Sequence, residues 1–533
     1  MDTKTIRQKL LDLAIRGKLV PQDPNDEPAS ELLERIHEEK LAMVGRGELK
    51  PKDVKNDTVI FIGSDGLPYE KGCEEQFGSN SLDGDLPFDV PSSWSWARVS
   101  SLVSKLGSGS TPRGGQSVYV QSGIPFIRSQ NVYDDGLRLD DVAYITEEIH
   151  QQKRGSEIKP SDILLNITGG SIGRCALVPM NFQPANVNQH VMIVRVIDPL
   201  EREYLHRVIN SEYIQAQILE KQLGSGRGGL SAETFSTFLI PIPPLAEQHR
   251  IVEMLDRYLA LVDEIEQAQA DVDELFAQLK SKVLDLAIRG ELTEQDPDDE
   301  PASVLLERIH EEKLAMVERG ELKAKDVKSD TVIFTGSDGL RYEKQADGSG
   351  EARCIEEEIP FELPSGWSWS RLLTPVALDP KNTVGDDTEA SFLPMAAISE
   401  GFINEFKPEV RKWKDIKKGF TQFADNDVVF AKISPCFENG KYFIAENLTN
   451  GVGAGTTELF VLRPVSAELE PGFLFHFLAS SYFADDARKT FMGSVGQQRI
   501  KKDYLENMLL PVPPHKEQVR IVSAIKRILS SLK

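Results

Sequence analysis

The chain repeats itself. Residues 11–71 return almost unchanged at 284–344, an offset of 273. Leu11-Asp12-Leu13-Ala14-Ile15-Arg16-Gly17 reappears as Leu284 to Gly290, and Leu32 to Lys40 reappears as Leu305 to Lys313. The offset still holds at Trp94 and Trp96, matched by Trp367 and Trp369. A second correspondence, at an offset of 270, closes each half: Ile240–Val252 matches Leu510–Val522. Each half thus reads as a repeated block, a Trp-x-Trp signpost, a divergent stretch, a Pro-rich stop and a helix start. The divergent stretches, 97–239 and 370–509, share little sequence. A repeat this long predicts two-fold pseudo-symmetry, and so a ligand with two halves. Constant flanks around variable centres predict one scaffold presenting two different recognition surfaces.

The Pro-rich stops are followed by strong helix formers, and nothing breaks a helix from Glu247 to Ala287. Ile251, Leu255, Tyr258, Val262, Ile265, Gln269, Val272, Phe276, Leu279, Val283 and Leu286 alternate in spacings of four and three, a heptad seam with one polar position. At 1.5 Å per residue the helix is roughly 60 Å long, and such a seam needs a partner. Ile521, Ile525, Ile528 and Leu532 take the seam positions of Ile251, Leu255, Tyr258 and Val262. Thr3, Ile6, Leu10 and Leu13 take those of Phe276, Leu279, Val283 and Leu286. The expectation is that the two ends of the chain meet as a split second helix, antiparallel to the first. The alternative is that each end packs locally as an ordinary amphipathic helix.

Within the repeated block, Ser30 is placed to cap a helix over Glu31–Val44, whose apolar stripe is interrupted at Lys40. Thr58–Phe61 and Leu67–Tyr69, joined by Gly63-Ser64-Asp65-Gly66, predict a small hairpin. Ile163–Leu165, Val191–Val194, Val428–Phe430 and Leu459–Leu462 predict strands inside the divergent stretches.

Composition narrows the class. No run of about 18 apolar residues exists, so no membrane span is expected, and the N-terminus opens an amphipathic stretch and not a signal peptide. Four scattered cysteines, with no CxxC pair, fit a reduced, cytoplasmic setting. The eight histidines show no metal spacing. A net charge of −23 argues against a whole-surface nucleic-acid binder, since phosphate contacts need Lys and Arg. The charge is uneven, however: Lys407 to Lys418 holds six basic residues, Lys412 and Lys414 among them, against two acidic ones. Such a run reads either as a solvated face or as a phosphate-facing one.

Catalytic motifs are missing. There is no Gly-x-x-x-x-Gly-Lys-Ser/Thr loop for ATP and no Asn/Asp-Pro-Pro-Tyr/Phe tetrad of the amino-methyltransferases. Gly169–Gly173 fits Gly-x-Ser-x-Gly, but a short strand, Cys175–Val178, follows where a nucleophile elbow needs a helix. Gly224–Gly229 fits Gly-x-Gly-x-x-Gly, but a helical run, Glu212–Leu223, precedes it where a strand is required. No cofactor and no catalytic residues are expected. What remains is a set of loops rich in Gly, Ser, Gln, Asn and Arg. Gln, Asn and Arg pair with base edges, and glycine-rich backbone approaches phosphates closely. The first stretch offers Ser110, Thr111, Arg113, Arg128, Gln130, Asn131, Ser171, Arg174, Gln189 and Arg227; the second offers Lys432, Ser434, Lys441, Gln497, Gln498 and Arg499. Gly226-Arg227 aligns with Gly496-Gln497 at the 270 offset, the same place with different side chains.

At this point the chain resembles the specificity subunits of type I restriction–modification enzymes. The resemblance rests on Ile242-Pro243-Pro244-Leu245-Ala246-Glu247-Gln248 and its copy at Val512–Gln518, on Leu19–Ser30, on the Pro-x-x-Trp-x-Trp openings at Pro91–Trp96 and Pro364–Trp369, and on Thr111-Pro112 followed by Gly123–Ile127. It implies an α+β protein with two mixed α/β target-recognition domains in pseudo-two-fold arrangement, separated by long antiparallel coiled-coil helices. The corresponding segments are 1–16 (N-terminal helix), 17–85 (first repeated block), 86–244 (first recognition domain), 245–289 (central spacer helix), 290–358 (second block), 359–514 (second recognition domain) and 515–533 (C-terminal helix). It further implies a non-catalytic partner of double-stranded DNA. Two methyltransferase subunits would dock on the repeated regions, and motor–nuclease subunits would join them. One departure stands out: the second stretch lacks a counterpart of Thr-Pro…Gly-Ile-Pro-Phe-Ile. The rival reading is a pseudo-symmetric coiled-coil adaptor whose variable domains bind proteins or glycans, which suits the acidic charge.

Overall fold

A computed structural model describes residues 2–55, 57–73, 78–198, 200–224, 229–493 and 498–531. The chain divides into two compact units, Met1–Ala270 and Asp271–Lys533.

In the first unit the helix Thr3–Ile15 starts at Asp2, whose side chain accepts from the amide of Thr5 at 3.1 Å. It ends at Gly17, which is left-handed (φ +66°) and packs so closely on Pro91 that a Cβ would sit 2.4 Å from the ring. Only glycine meets both conditions, and Gly290 against Pro364 repeats the arrangement in the second unit. The helix Ala29–Gly45 follows. It begins at Ala29 with Pro28 as its N-cap and no capping side chain, so Ser30 lies inside the first turn and not at the cap. Lys40 is no interruption of its apolar stripe. It is buried with Leu32 and Ile36, and its ammonium donates to Asp57 Oδ1 and to the carbonyl of Ser100, each at 2.6 Å. The strands Thr58–Ile62, Pro68–Gly72 and Asn80–Ser81 form a small antiparallel sheet that buries Ile60 against Leu82, Trp96 and Leu239.

The Trp-x-Trp and Pro-rich segments turn out to be neighbours. Ser95–Arg98 pairs antiparallel with Leu239–Ile242, placing Trp96 opposite Pro241. A two-stranded ribbon has only edge strands, which is where proline is tolerated. The divergent stretch therefore leaves and re-enters the scaffold at one neck. The second unit has the same neck, Ser368–Arg371 paired with Leu509–Val512. The Glu-Gln that follows each stop ties the neck to the scaffold. Glu247 accepts from the indole N–H of Trp94 at 3.0 Å and from Gln22 at 2.6 Å. Gln248 donates to the carbonyl of Pro243 at 2.9 Å and accepts from the amide of Glu201 at 3.0 Å. Glu517 with Trp367 (2.8 Å) and Gln518 with Pro513 and Glu470 (3.0 and 2.8 Å) repeat the scheme. Burial raises the carboxyl pKa of both glutamates.

Inside the first divergent stretch stand two four-stranded sheets. One runs in the order Cys175–Leu177, Ile163–Asn166, Val191–Val196, Val103–Ser108; the other in the order Glu157–Ile158, Ala185–Val187, Ile124–Ile127, Ala143–Ile145, with its middle pair parallel. Continuous apolar strands such as Ile163–Leu165 are buried, as strands covered on both sides must be. The second stretch has the same two sheets. Tyr442–Ile444, Val428–Ala431, Leu459–Pro464 and Val376–Leu378 make one; Thr421–Ala424, Val452–Gly455, Glu389–Leu393 and Glu409–Lys412 make the other, again with a parallel middle pair. The counterpart of Ile124–Ile127 is thus present after all, as Glu389–Leu393, with different residues on the same ladder.

The helix Leu245–Ile288 spans 44 residues. In the first unit Thr3–Ile15 runs against it in the opposite direction. Arg7 pairs with Asp263 and, at 3.0 Å, with Glu266, while Leu11, Ala14 and Ile15 share a core with Ile251 and Leu255 further back. Each of these leucine and isoleucine side chains contributes about 1.5–3 kcal/mol when fully buried. In the second unit Val283, Leu284 and Ala287 share a core with Ile521, Val522 and Ile525 of the helix His515–Ser531. By the two offsets these are the same contacts. The buried face of Thr3–Ile15 is Leu11, Ala14 and Ile15 and not Leu10 and Leu13; Leu13 is exposed. Along the seam Ile251, Leu255, Val262 and Val283 are buried, whereas Tyr258, Ile265, Val272, Phe276 and Leu279 are 38–43% exposed. Gln269 is exposed as well, and Leu532 lies outside the described residues.

One histidine gives the first domain a pH dependence. His206, on the helix Arg202–Ile209, is buried and donates through Nε2 to the carbonyl of Cys175 at 2.9 Å. Burial lowers its pKa from 6.5 to about 4. The unfolded chain thus binds this proton more readily, and stability falls as pH drops from 6.5 towards 4, by up to about 3 kcal/mol. Denaturant titrations across this range measure the effect. A His206→Gln variant should lose that segment of the profile; an unchanged profile would refute the assignment.

Candidate nucleic-acid interface

In the first unit, close backbone packing gathers the candidate loops. Gly109, just beyond the strand Val103–Ser108, donates to the carbonyl of Asn188 at 3.0 Å, and a Cβ there would lie 1.8 Å from the carbonyl oxygen of Val187. This seats the loop 109–113 against the loop 188–190. Lys153 donates to the hydroxyl of Ser110 at 2.7 Å. The Thr111 hydroxyl donates to Gln189 Oε1. Gln189 Nε2 meets His190 Nε2 at 2.9 Å, and His190 Nδ1 meets the Thr168 hydroxyl at 2.6 Å. The loop 167–174 joins through Ile167, whose amide donates to the carbonyl of His190 at 3.0 Å. Asn166 donates to Ser171 Oγ at 3.2 Å and to the carbonyl of Ser129 at 2.8 Å. Ser110, Thr111, Ser171 and Gln189 therefore belong to one polar surface.

Arg128 and Gln130 flank Ser129, and Arg174 closes the loop 167–174. Arg128 donates to the carbonyl of Asp141 at 2.6 Å, Gln130 to the Asp141 carboxylate at 2.5 Å, and the Arg174 guanidinium stacks on Tyr133 with 4.6 Å to the ring centre. Arg113 is exposed. Asn131 is turned inward. It is buried, accepts from the amide of Arg128 at 3.0 Å and donates to the carbonyl of Arg138 at 2.9 Å, so its side chain braces a turn. Arg227 lies outside the described residues.

The second unit matches the first through its backbone. The amide of Lys432 donates to the carbonyl of Glu458 at 2.9 Å, as Ile167 does to His190. The amide of Ile500 donates to Lys432 at 3.0 Å, as Leu230 does to Ile167 at 2.8 Å. The loop 456–458 thus occupies the place of 188–190, and Arg499 the place of Gly229. Lys432, Ser434, Gln498 and Arg499 come together here. Ser434 donates to the carbonyl of Gln498 at 2.9 Å and, through its hydroxyl, to Glu438 at 2.7 Å. The Lys432 ammonium sits 5.0 Å from the ring centre of Phe460. Arg499 grips Glu458 bidentately, Nε at 2.8 Å and a terminal nitrogen at 2.7 Å, which holds the Glu458 carboxyl below the usual range.

Lys441 is turned inward: its ammonium donates to the carbonyls of Met395 and Ile398 at 3.2 and 3.0 Å and so holds the domain's own backbone. The run from Lys407 to Lys418 is not a bare cationic face. Lys412 and Lys414 lie 3.7 and 3.0 Å from Asp387, and Lys417 lies 2.5 Å from Asp386. Gln497 falls outside the described residues. Sequence reasoning passed over Lys153, Thr168 and Glu458. Their signal was positional, since Glu458 ends the short link between two buried strands, as His190 does.

Among the described residues no cluster of three or more His, Cys, Asp or Glu could hold a metal ion, and no helix is long and apolar enough to cross a membrane. A cavity of about 450 Å³ in the second unit is lined by Trp367, Asp299, Ser303 and Glu517, and none of the candidate loop residues reaches it.

The sequence profile described as "Type I restriction modification DNA specificity domain" matches the chain at residues 91–272 and 379–533, together more than half of its length. Two Escherichia coli proteins, the type I restriction enzyme EcoEI specificity subunit and the type I restriction enzyme EcoAI specificity subunit, are each 40% identical to it, over 253 and 254 residues. The matches cover 47% and 48% of this chain and 39% of each relative, so the chain spans about two fifths of the length of these relatives. The solved HsdS subunit from Thermoanaerobacter tengcongensis is 17% identical, with a TM-score of 0.43 over 85% of this chain and 93% of that one.

Proposed function

The chain belongs to the type I restriction–modification DNA specificity family, and from that premise we propose that it is the DNA-reading, non-catalytic subunit of such a complex. Each divergent domain reads one half of a bipartite duplex target, and the helix Leu245–Ile288 with its partner helices sets the gap between the halves. Two methyltransferase subunits dock on the repeated blocks, and motor–nuclease subunits complete the assembly. The observation that carries this reading is the pairing of one topology with two sets of loop side chains. Gln189-His190 stands where Thr457-Glu458 stands in the other domain, and Gly229 stands where Arg499 stands. A scaffold built to present different side chains at fixed places suits the reading of two different base sequences.

The net charge of −23 shapes the expected behaviour. Many of the candidate cations are already paired with carboxylates, so the chain alone supplies little phosphate affinity, and its partners supply the rest. In gel-shift assays the isolated chain should bind duplex DNA weakly. With methyltransferase subunits added, binding should tighten at least tenfold and weaken steeply with salt, since each phosphate contact contributes about one unit of slope. Tight binding without partners contradicts the assignment of phosphate affinity to them. No salt-dependent association even with partners would favour an adaptor of proteins or glycans.

A further inference from the structure

Resting on that DNA reading, we propose that His190 and Glu458 are positioning residues: each occupies the same backbone place in its domain, and each fixes the orientation in which a neighbouring side chain, Gln189 or Arg499, meets a base edge. The shared place is set by the amides of Ile167 and Lys432, which donate to the carbonyls of His190 and Glu458 at 3.0 and 2.9 Å. The side chains are unrelated, yet each grips a polar neighbour that can read bases.

In the first domain the grip couples an amide to an imidazole. An amide nitrogen only donates, so at 2.9 Å from Gln189 Nε2 the ring atom His190 Nε2 is the acceptor. The ring proton then resides on Nδ1 and is donated to the Thr168 hydroxyl at 2.6 Å. At its other end Gln189 Oε1 accepts from Thr111. Turning the amide over would require the ring proton to move to Nε2 and the Thr168 hydroxyl to donate to Nδ1 at the same time, so the amide and the imidazole are locked to each other. Each end keeps further capacity, one N–H and one lone pair, which is the pattern adenine N6 and N7 require. In the second domain Glu458 binds Nε and a terminal nitrogen of Arg499 and fixes the plane of the guanidinium. A guanidinium held in a plane is the group that pairs with guanine O6 and N7.

The test uses the full chain assembled with methyltransferase subunits and a pool of randomised duplex DNA, with the selected or methylated sequences read out. Glu458→Gln keeps size and shape but loses charge and half of the grip. It should lower the base preference at one position of one half-site by about tenfold and leave the other half-site intact. Arg499→Lys should relax the same position. His190→Leu should relax one position of the opposite half-site, the one that Gln189→Ala also relaxes. Uniformly weaker binding with every preference kept would mark His190 and Glu458 as merely structural and overturn the proposal. So would changes spread over both half-sites. If the parent complex selects no bipartite sequence at all, the DNA reading itself falls, and the proposal with it.

Discussion

Asp57→Asn is expected to cost the first unit about 3–5 kcal/mol. Lys40 and Asp57 are 1% and 2% exposed, and the ammonium lies 2.6 Å from Asp57 Oδ1. Desolvating both charges is expensive, and their attraction offsets that cost only while both are present. Asparagine fills the same space but leaves the ammonium with two neutral oxygens, its own and that of Ser100. The loss is thus the cost of an uncompensated buried charge and not the net worth of the pair. The same logic sets the control. Replacing both residues with apolar ones of similar volume, Lys40→Met with Asp57→Leu, should cost far less than the single change, or nothing. Denaturant unfolding of the three proteins decides. A single variant within about 1 kcal/mol of the parent would show that water reaches the pair. Lys313 and Asp330 repeat the contact at 2.6 Å, with the Thr374 carbonyl at 3.0 Å, so Asp330→Asn should show a similar loss.

Lys40 also marks where reading the sequence ends. A lysine on an amphipathic helix looks like a gap in the apolar stripe, because burial of an ion depends on an aspartate 17 residues away and on a carbonyl 60 residues away. The repeated block was legible because both copies keep the residues that touch: Gly17 with Pro91, Trp94 with Glu247, Leu11 with Ile251. The common topology of the two divergent domains was not. Their strands need only buried apolar side chains in sequence, a demand that Ile124–Ile127 and Glu389–Leu393 meet with different residues. The candidate loops were found by composition, which does not separate a reader from a brace. Asn131 and Lys441 have the right chemistry but bind the domain's own backbone. Glu458 looked ordinary until backbone hydrogen bonds put it where His190 stands.

Deleting residues 267–273 from the long helix is expected to change the distance between recognised half-sites and not their sequences. The segment is a full heptad, so the seam on either side keeps its face, with Val262 and Ile265 before the cut and Phe276 and Leu279 after it. It lies clear of Ile251, Leu255, Val283 and Ala287, the buried residues that hold the helix within each unit. Removing it shortens the helix by about 10 Å, since each residue rises 1.5 Å. One base pair rises about 3.4 Å along duplex DNA, so the loss corresponds to about three base pairs of spacer. Three base pairs also turn the duplex by roughly a quarter of a revolution or more, given 10–10.5 base pairs per turn. The variant must therefore twist its DNA or lose affinity. The expected result is methylation at a shorter spacing at reduced rate, with both half-site sequences kept. Sequencing of methylated DNA from cells carrying the variant and its partner subunits reads this directly. Continued methylation at the original spacing would show that the helix does not measure the gap.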